Sequence, residues 1–205
     1  MAIVGKRFRD ALVWSAELHE QQKRKGGEIP YVAHLLGVAC IVLEHGGDED
    51  QAIAALLHDA LEDQAHRMSP GEIRERFGEK VEAIVEACTD GDPEEQRDRD
   101  PVRWRQRKEK YIAEVAAKPA EALLVSMADK LHNARAILED YRELGEPLWP
   151  RFTTGKDGTL WYYRGLLAAF KARAENRLWH ELERTVADIE RLAAIHAPTG
   201  SKGKP

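Results

Sequence analysis

Cysteine is nearly missing from this 205-residue chain: Cys40 and Cys88 lie far apart, without a CxxC pair. Neither sits in a recognisable thiol-enzyme signature, and each falls in an apolar helical stretch, so both read as small core filler. A run of 18 or more apolar residues is also missing, which argues against a membrane span. The first twenty residues, Met1 to Glu20, are amphipathic and lack the apolar stretch and small-residue cleavage site of a secretory leader, so a cytoplasmic location is expected. There is no GxSxG elbow and no GxxxxGK[ST] loop, which sets aside a serine hydrolase of that type and a P-loop NTPase. Excess positive charge is absent too. A formal net charge of −5 disfavours a general nucleic-acid coat but leaves room for a local basic pocket. No repeat of the solenoid kind and no convincing period-two alternation is present, so no sheet is expected.

What is present is helix. Hydrophobic residues make up 43% and charged residues 33% of the chain, the balance of an ordinary globular protein with a sizeable core. Apolar spacing predicts helices over 6–24, 32–45, 48–62, a short one from Ser69-Pro70 to Gly78, then to Cys88, 102–117, 119–144, 159–175 and 178–195. Asp48 with Gln51, and Ser69-Pro70 with Glu72, carry the residue types of helix starts. Residues 90–101 read as a charged surface loop, and 145–158 as irregular. The expected fold class is all-α, one compact bundle of roughly eight to ten helices. The domain is expected to span 1–196, with 197–205 as a disordered tail that has almost nothing to bury.

Three places break the apolar rule of a buried helix. The core-like run Ala52 to Leu57 leads straight into His58, Asp59, Glu62 and Asp63. Three carboxylates so close repel one another unless a cation sits among them. Asp129 follows the core-like run Ala122 to Ala128, with Asn133 one turn further on. His34 stands near the start of an apolar helix. Alone, a histidine on an apolar face is usually a satisfied core residue, and Asp129 has Lys130 or Arg135 as ordinary partners. One ion joins all three breaks. Two imidazoles and two carboxylates suit Mn²⁺, Fe²⁺ or Zn²⁺ better than Ca²⁺, and leave positions open for water and substrate.

The order Arg24-Lys25-Gly26-Gly27, Pro30-Tyr31, His34, then Leu56 to Asp63, then Ala128 to Arg135 resembles the HD hydrolase domain of RelA/SpoT-type proteins, whose stand-alone form is the small alarmone hydrolase. The likeness runs over about residues 5–175. It implies a single HD-domain helical bundle that removes the 3′-pyrophosphate of guanosine tetra- and pentaphosphate, usually with Mn²⁺. It implies His34, His58, Asp59 and Asp129 as metal ligands, and Glu62 and Asp63 as the acidic pair that positions and activates water. It places Arg24, Lys25 and Asn133 against the nucleotide, and matches Tyr162 to a substrate-contacting tyrosine. The chain departs from the family in His34-Leu35, where His-Pro is usual, in Gly26, where serine is frequent, and in the 145–158 segment. No room is left after residue 180 for a synthetase domain, so a hydrolase alone is implied.

The expected chemistry is metal-assisted hydrolysis, with Glu62 or Asp63 taking a proton from water and cationic side chains neutralising phosphate. Arg103, Arg107 and Lys108 are either further phosphate contacts or a solvated helix face. The group Trp161, Tyr162 and Tyr163 reads as core, with one tyrosine able to do both. Competing readings are an HD phosphohydrolase for another phosphorylated nucleotide (an adenosine alarmone, NADPH or a nucleoside monophosphate), a non-catalytic metal-binding module, and a purely structural helical protein. The partner expected is a phosphorylated nucleotide, not nucleic acid or membrane, with the oligomeric state left open.

Overall fold

The computed structural model describes residues 4–89 and 99–195. Among them are ten α-helices and no strand. They are α1 (Lys6–Leu18), α2 (Val32–Glu44), α3 (Glu49–Leu57), α4 (Ala60–Asp63), α5 (Pro70–Phe77), α6 (Glu79–Cys88), α7 (Pro101–Glu114), α8 (Ala120–Leu144), α9 (Gly155–Lys171) and α10 (Arg177–Ile195). The expected tail, 197–205, and most of the expected charged loop, 90–98, lie outside the described residues. No helix is long and apolar enough to cross a membrane among the described residues.

Local sequence explains three of the ten helix starts directly. The α3 start is a reciprocal cap: the Gln51 N–H donates to Asp48 Oδ1 at 2.9 Å, and the Asp48 N–H to Gln51 Oε1 at 3.0 Å. At α5 the Ser69 N–H donates to the Glu72 carboxylate at 2.8 Å, and Pro70 opens the helix. At α7 the Asp100 carboxylate accepts from the Val102 and Arg103 N–H groups at 2.8 and 2.9 Å. Helix α8 stops at Gly145, whose φ of +64° is ordinary only for glycine.

The core is organised around α3 and α8. Every residue from Ala52 to Leu57 is fully buried, because α3 packs against α1, α2, α6 and α8 at once. Helix α8 in turn packs against α2, α6 and α10, and a helix of 25 residues spans about 37 Å. The two apolar runs that carry the polar breaks therefore cross the same core.

Three boundaries differ from expectation, and each difference shapes the site. Helix α1 stops at Leu18 rather than near 24. The residues beyond it are good helix formers, but their backbone pairs instead with the returning chain. The Arg24 N–H donates to the Ile29 carbonyl at 2.8 Å and the Tyr31 N–H to the Gln22 carbonyl at 2.9 Å. The expected 48–62 helix breaks after Leu57. The Glu62 and Asp63 N–H groups both turn to the Asp59 carbonyl, at 3.2 and 2.8 Å, so the next turn begins at Asp59. In a regular helix neighbouring side chains diverge by about 100°. Here His58 Nε2 and Asp59 Oδ2 come within 3.1 Å. Cys40, expected in the core, is exposed on the outer face of α2, where its thiol lies 3.5 Å from Glu44 Oε1; Cys88 is buried as expected. The stretch 145–158 also contains a 3-10 turn, Glu146–Arg151, and the first residues of α9.

Replacing Leu57 by alanine, at the end of the fully buried α3 run, is expected to cost roughly 2–5 kcal/mol of unfolding free energy. Urea denaturation measures it. A loss well below that range would contradict the central place of α3.

Candidate metal centre

The three polar breaks meet. His34 comes from the first turn of α2, His58 and Asp59 from the break after α3, and Asp129 from the middle of α8. His34 Nε2 lies 3.4 Å from Asp59 Oδ2 and 3.3 Å from Asp129 Oδ1. His58 Nε2 lies 3.1 and 3.6 Å from the same two carboxylate atoms. Donor atoms of His34, His58 and Asp59 all fall within 4.8 Å of one another.

The surroundings orient both imidazoles. The His58 Nδ1–H donates to the Ala55 carbonyl at 2.8 Å, which turns Nε2 toward the cluster. That Nε2 is buried and makes no hydrogen bond, and it faces the two carboxylates. His34 Nδ1 lies 2.9 Å from His132 Nδ1, so the second ring holds the first with its Nε2 toward the cluster. Burial, with His34 and Arg24 nearby, pushes His132 down to about 4, so it stays neutral and able to accept. Helix α2 makes room for this ring at Gly37, where an added Cβ would lie 2.3 Å from the His132 imidazole.

The carboxylates are equally held. Tyr31 O–H donates to Asp59 Oδ2 at 2.6 Å. Lys130 donates to Asp129 Oδ2 at 2.7 Å and Asn133 Nδ2 to Asp129 Oδ1 at 2.6 Å. Burial would raise Asp129, but Lys130, His34 and His58 hold it well below the usual carboxylate range. Burial would lower His58, yet Asp59 and Asp129 raise it well above the usual imidazole value. Two imidazoles and two carboxylates, with the buried His58 Nε2 free of any hydrogen bond and outer hydrogen bonds fixing each donor, fit a divalent transition ion.

A cavity of about 200 Å³ opens on the cluster, and Glu62 and Asp63 line it. Gln22 Nε2 donates to Asp63 Oδ2 at 2.6 Å, and Gln22 Oε1 is itself held by Gln64 Nε2 at 2.8 Å. Loss of water around the Asp63 carboxyl group, with the Asp59 charge nearby, raises its pKa.

A second cavity, of about 430 Å³, adjoins the first. Tyr31, Lys108, Lys130 and Asn133 line both. Arg24, Lys25 and Tyr162 line the larger one, and Arg24 donates to Asn133 Oδ1 at 2.7 Å. Tyr162 is buried in the core and also forms cavity wall. Of Arg103, Arg107 and Lys108, only Lys108 lines the two cavities. Sequence reasoning passed over Tyr31, Gln22 and His132 as site residues. Tyr31 carried a readable signal, one turn before His34 at the start of α2, whereas Gln22 and His132 become visible only through their partners.

A helical scaffold that gathers His, His-Asp and Asp donors from three separate elements defines a divalent-metal-binding domain. The HD domain family profile matches residues 11–147, and the chain belongs to that family. It is 39% identical over 129 residues to the guanosine-3′,5′-bis(diphosphate) 3′-pyrophosphohydrolase MESH1 of Xenopus tropicalis, covering 62% of this chain and 66% of that one. It is 38% identical over 127 residues to the guanosine-3′,5′-bis(diphosphate) 3′-pyrophosphohydrolase of Aquifex aeolicus, covering 62% of this chain. The chain spans only 17% of that protein's length and 18% of the bifunctional (p)ppGpp synthase/hydrolase SpoT of Escherichia coli. The solved structure of a metazoan SpoT orthologue, described as hydrolysing ppGpp, superposes with a TM-score of 0.72 at 26% identity, over 92% of this chain and 98% of that one.

A metal ligand must shed its proton, and the metal-free cluster keeps one on His58 to above the ordinary pH for an imidazole. Mn²⁺ affinity is therefore expected to fall as pH drops from about 8 to about 6, with protons released on binding. Calorimetry in buffers of different ionisation enthalpy measures both. Affinity independent of pH would count against the imidazoles as ligands.

Proposed function

We propose that the chain is a cytoplasmic, metal-dependent hydrolase that removes the 3′-pyrophosphate of guanosine tetra- and pentaphosphate. The observation that carries this reading is the shared wall of the two cavities, Tyr31, Lys108, Lys130 and Asn133. A nucleotide seated in the larger, cationic and aromatic cavity presents its phosphates across that wall to the His/Asp cluster. The relatives named above support the same substrate.

His34, His58, Asp59 and Asp129 would hold the ion, with Mn²⁺ the favoured metal and Fe²⁺ or Zn²⁺ the alternatives. Bound there, the ion supplies Lewis acidity toward a phosphoryl oxygen and toward water. Arg24, Lys25 and Lys108 neutralise phosphate charge, the Arg24 fork matching phosphate oxygens best. Asn133, held between Asp129 and Arg24, links the ion site to the nucleotide site. Tyr162 contributes wall to the base and sugar cavity.

Glu62 and Asp63 stand on the cavity side of the cluster and take the proton of the attacking water. Burial and the Asp59 charge raise the Asp63 pKa above the ordinary carboxylate value, the direction that favours a proton acceptor, and Gln22 fixes its orientation.

The test is product analysis with purified protein, Mn²⁺ and guanosine tetraphosphate. The expected products are GDP and pyrophosphate. Orthophosphate release alone, or turnover of nucleoside monophosphates alone, would refute the reading. Glu62→Ala and Asp63→Ala are each expected to lower kcat by about a hundredfold or more while Mn²⁺ still raises the melting temperature. Full activity in both variants would remove them from the mechanism.

A further inference from the structure

One wall of the 430 Å³ cavity is a single face of α8. Lys130, Asn133, Ala136, Ile137 and Asp140 recur at helical spacing along it. Its chemistry changes with distance from the cluster. Asp129, Lys130 and Asn133 form the ion end. Ala136 and Ile137 form an apolar floor in the middle. Asp140 stands eleven residues beyond Asp129, about 16 Å along the helix axis. Among the described residues that line the cavity, Asp140 is the one acid.

A carboxylate in a phosphate-binding cavity is tolerable only away from the phosphates. The cations shared with the ion end, Lys108 and Lys130, lie where phosphate must sit. Asp140 lies at the other end, half-exposed, with Arg151 Nη1 3.7 Å from its Oδ2. Arg151 reaches this position over Gly26: a Cβ on that residue would come within 3.1 Å of the arginine side chain, and its φ of +84° suits glycine. The far wall is thus an acceptor and a donor side by side, beyond the apolar stretch of Ala136 and Ile137.

We infer that Asp140 is a specificity-determining residue that selects guanine over adenine. This rests on the proposed nucleotide-hydrolase reading. Guanine presents N1–H and the exocyclic amino group next to each other, two donors that match the two oxygens of one carboxylate. Adenine presents one amino group beside an acceptor nitrogen, which faces a carboxylate unfavourably. Two donors met against one, with an acceptor pair avoided, makes the preference about tenfold or more. The neighbouring Arg151 reinforces it, because its N–H groups suit the guanine carbonyl oxygen and not the adenine amino group.

The test compares kcat/KM for guanosine tetraphosphate and its adenosine counterpart in the wild type, Asp140→Ala and Asp140→Asn, with equilibrium binding of GDP and ADP measured in parallel. The wild type is expected to favour guanine by about tenfold or more, with Asp140→Ala removing most of that preference through KM and leaving kcat and the adenosine substrate almost unchanged. Asp140→Asn, close in shape, is expected to fall between. Asp140 is half-exposed, so both variants are expected to melt like the wild type. Equal losses for both bases, or an unchanged ratio, would overturn the inference while leaving the hydrolase reading standing. Hydrolysis of neither substrate would overturn that reading, and the GDP-to-ADP binding ratio would still decide the role of Asp140.

Discussion

Three ionisable side chains, His34, His58 and Asp129, are withdrawn into a largely apolar core with the partly buried Asp59 against them, and the neighbouring structure answers that placement. Isolated buried charges of this kind cost several kcal/mol each unless they are paired. Here every donor has an outer partner: Tyr31 on Asp59, Lys130 and Asn133 on Asp129, the Ala55 carbonyl on His58, His132 on His34. What the outer partners leave unanswered is the inward face of the cluster, the buried His58 Nε2 above all. A divalent cation on that face would complete the arrangement, in keeping with an HD domain.

The same constraint links the two cavities. Asn133 donates to Asp129 and accepts from Arg24, so a residue that steadies the His/Asp cluster also anchors a cation in the larger cavity. Tyr31 holds Asp59 and lines both cavities. Lys130 neutralises Asp129 and stands on the same shared wall. The division of α8 into an ionic stretch, an apolar floor and a distant acid follows from one helix passing from the ion to the far end of the cavity. The cluster and the far end of the larger cavity are therefore successive turns of one element, and a shift of α8 would move both together.

Much of this was legible in the residues alone. The caps at Asp48 and Ser69, the stop at Gly145 and the apolar runs of α3 and α8 depend on contacts a few residues apart, and they fell where local chemistry put them. His34, His58, Asp59 and Asp129 stood out because each interrupts a core-like run. The errors came where distant contacts override local preference. Gln22 to Arg24 favour helix, but their backbone is taken by Ile29 and Tyr31. His58 and Asp59 favour a continuing helix, but the chain restarts at Asp59. Cys40 sits in an apolar sequence yet on the outer face of its helix, since composition does not say which side of α2 meets the core.

The sequence by itself therefore determined the helical class, most helix starts and which polar residues stand out from the core runs, because spacing, caps and out-of-place polar residues are local properties. Only the tertiary structure decided that the donors converge within a few ångströms, that His132 and Tyr31 orient them, and that Asp140 lines the larger cavity with Arg151 beside it. Those facts depend on pairs separated by tens of residues, such as His34 with His132 and Arg24 with Asn133. Their meeting is set by how α2, α3 and α8 pack, which no local pattern encodes.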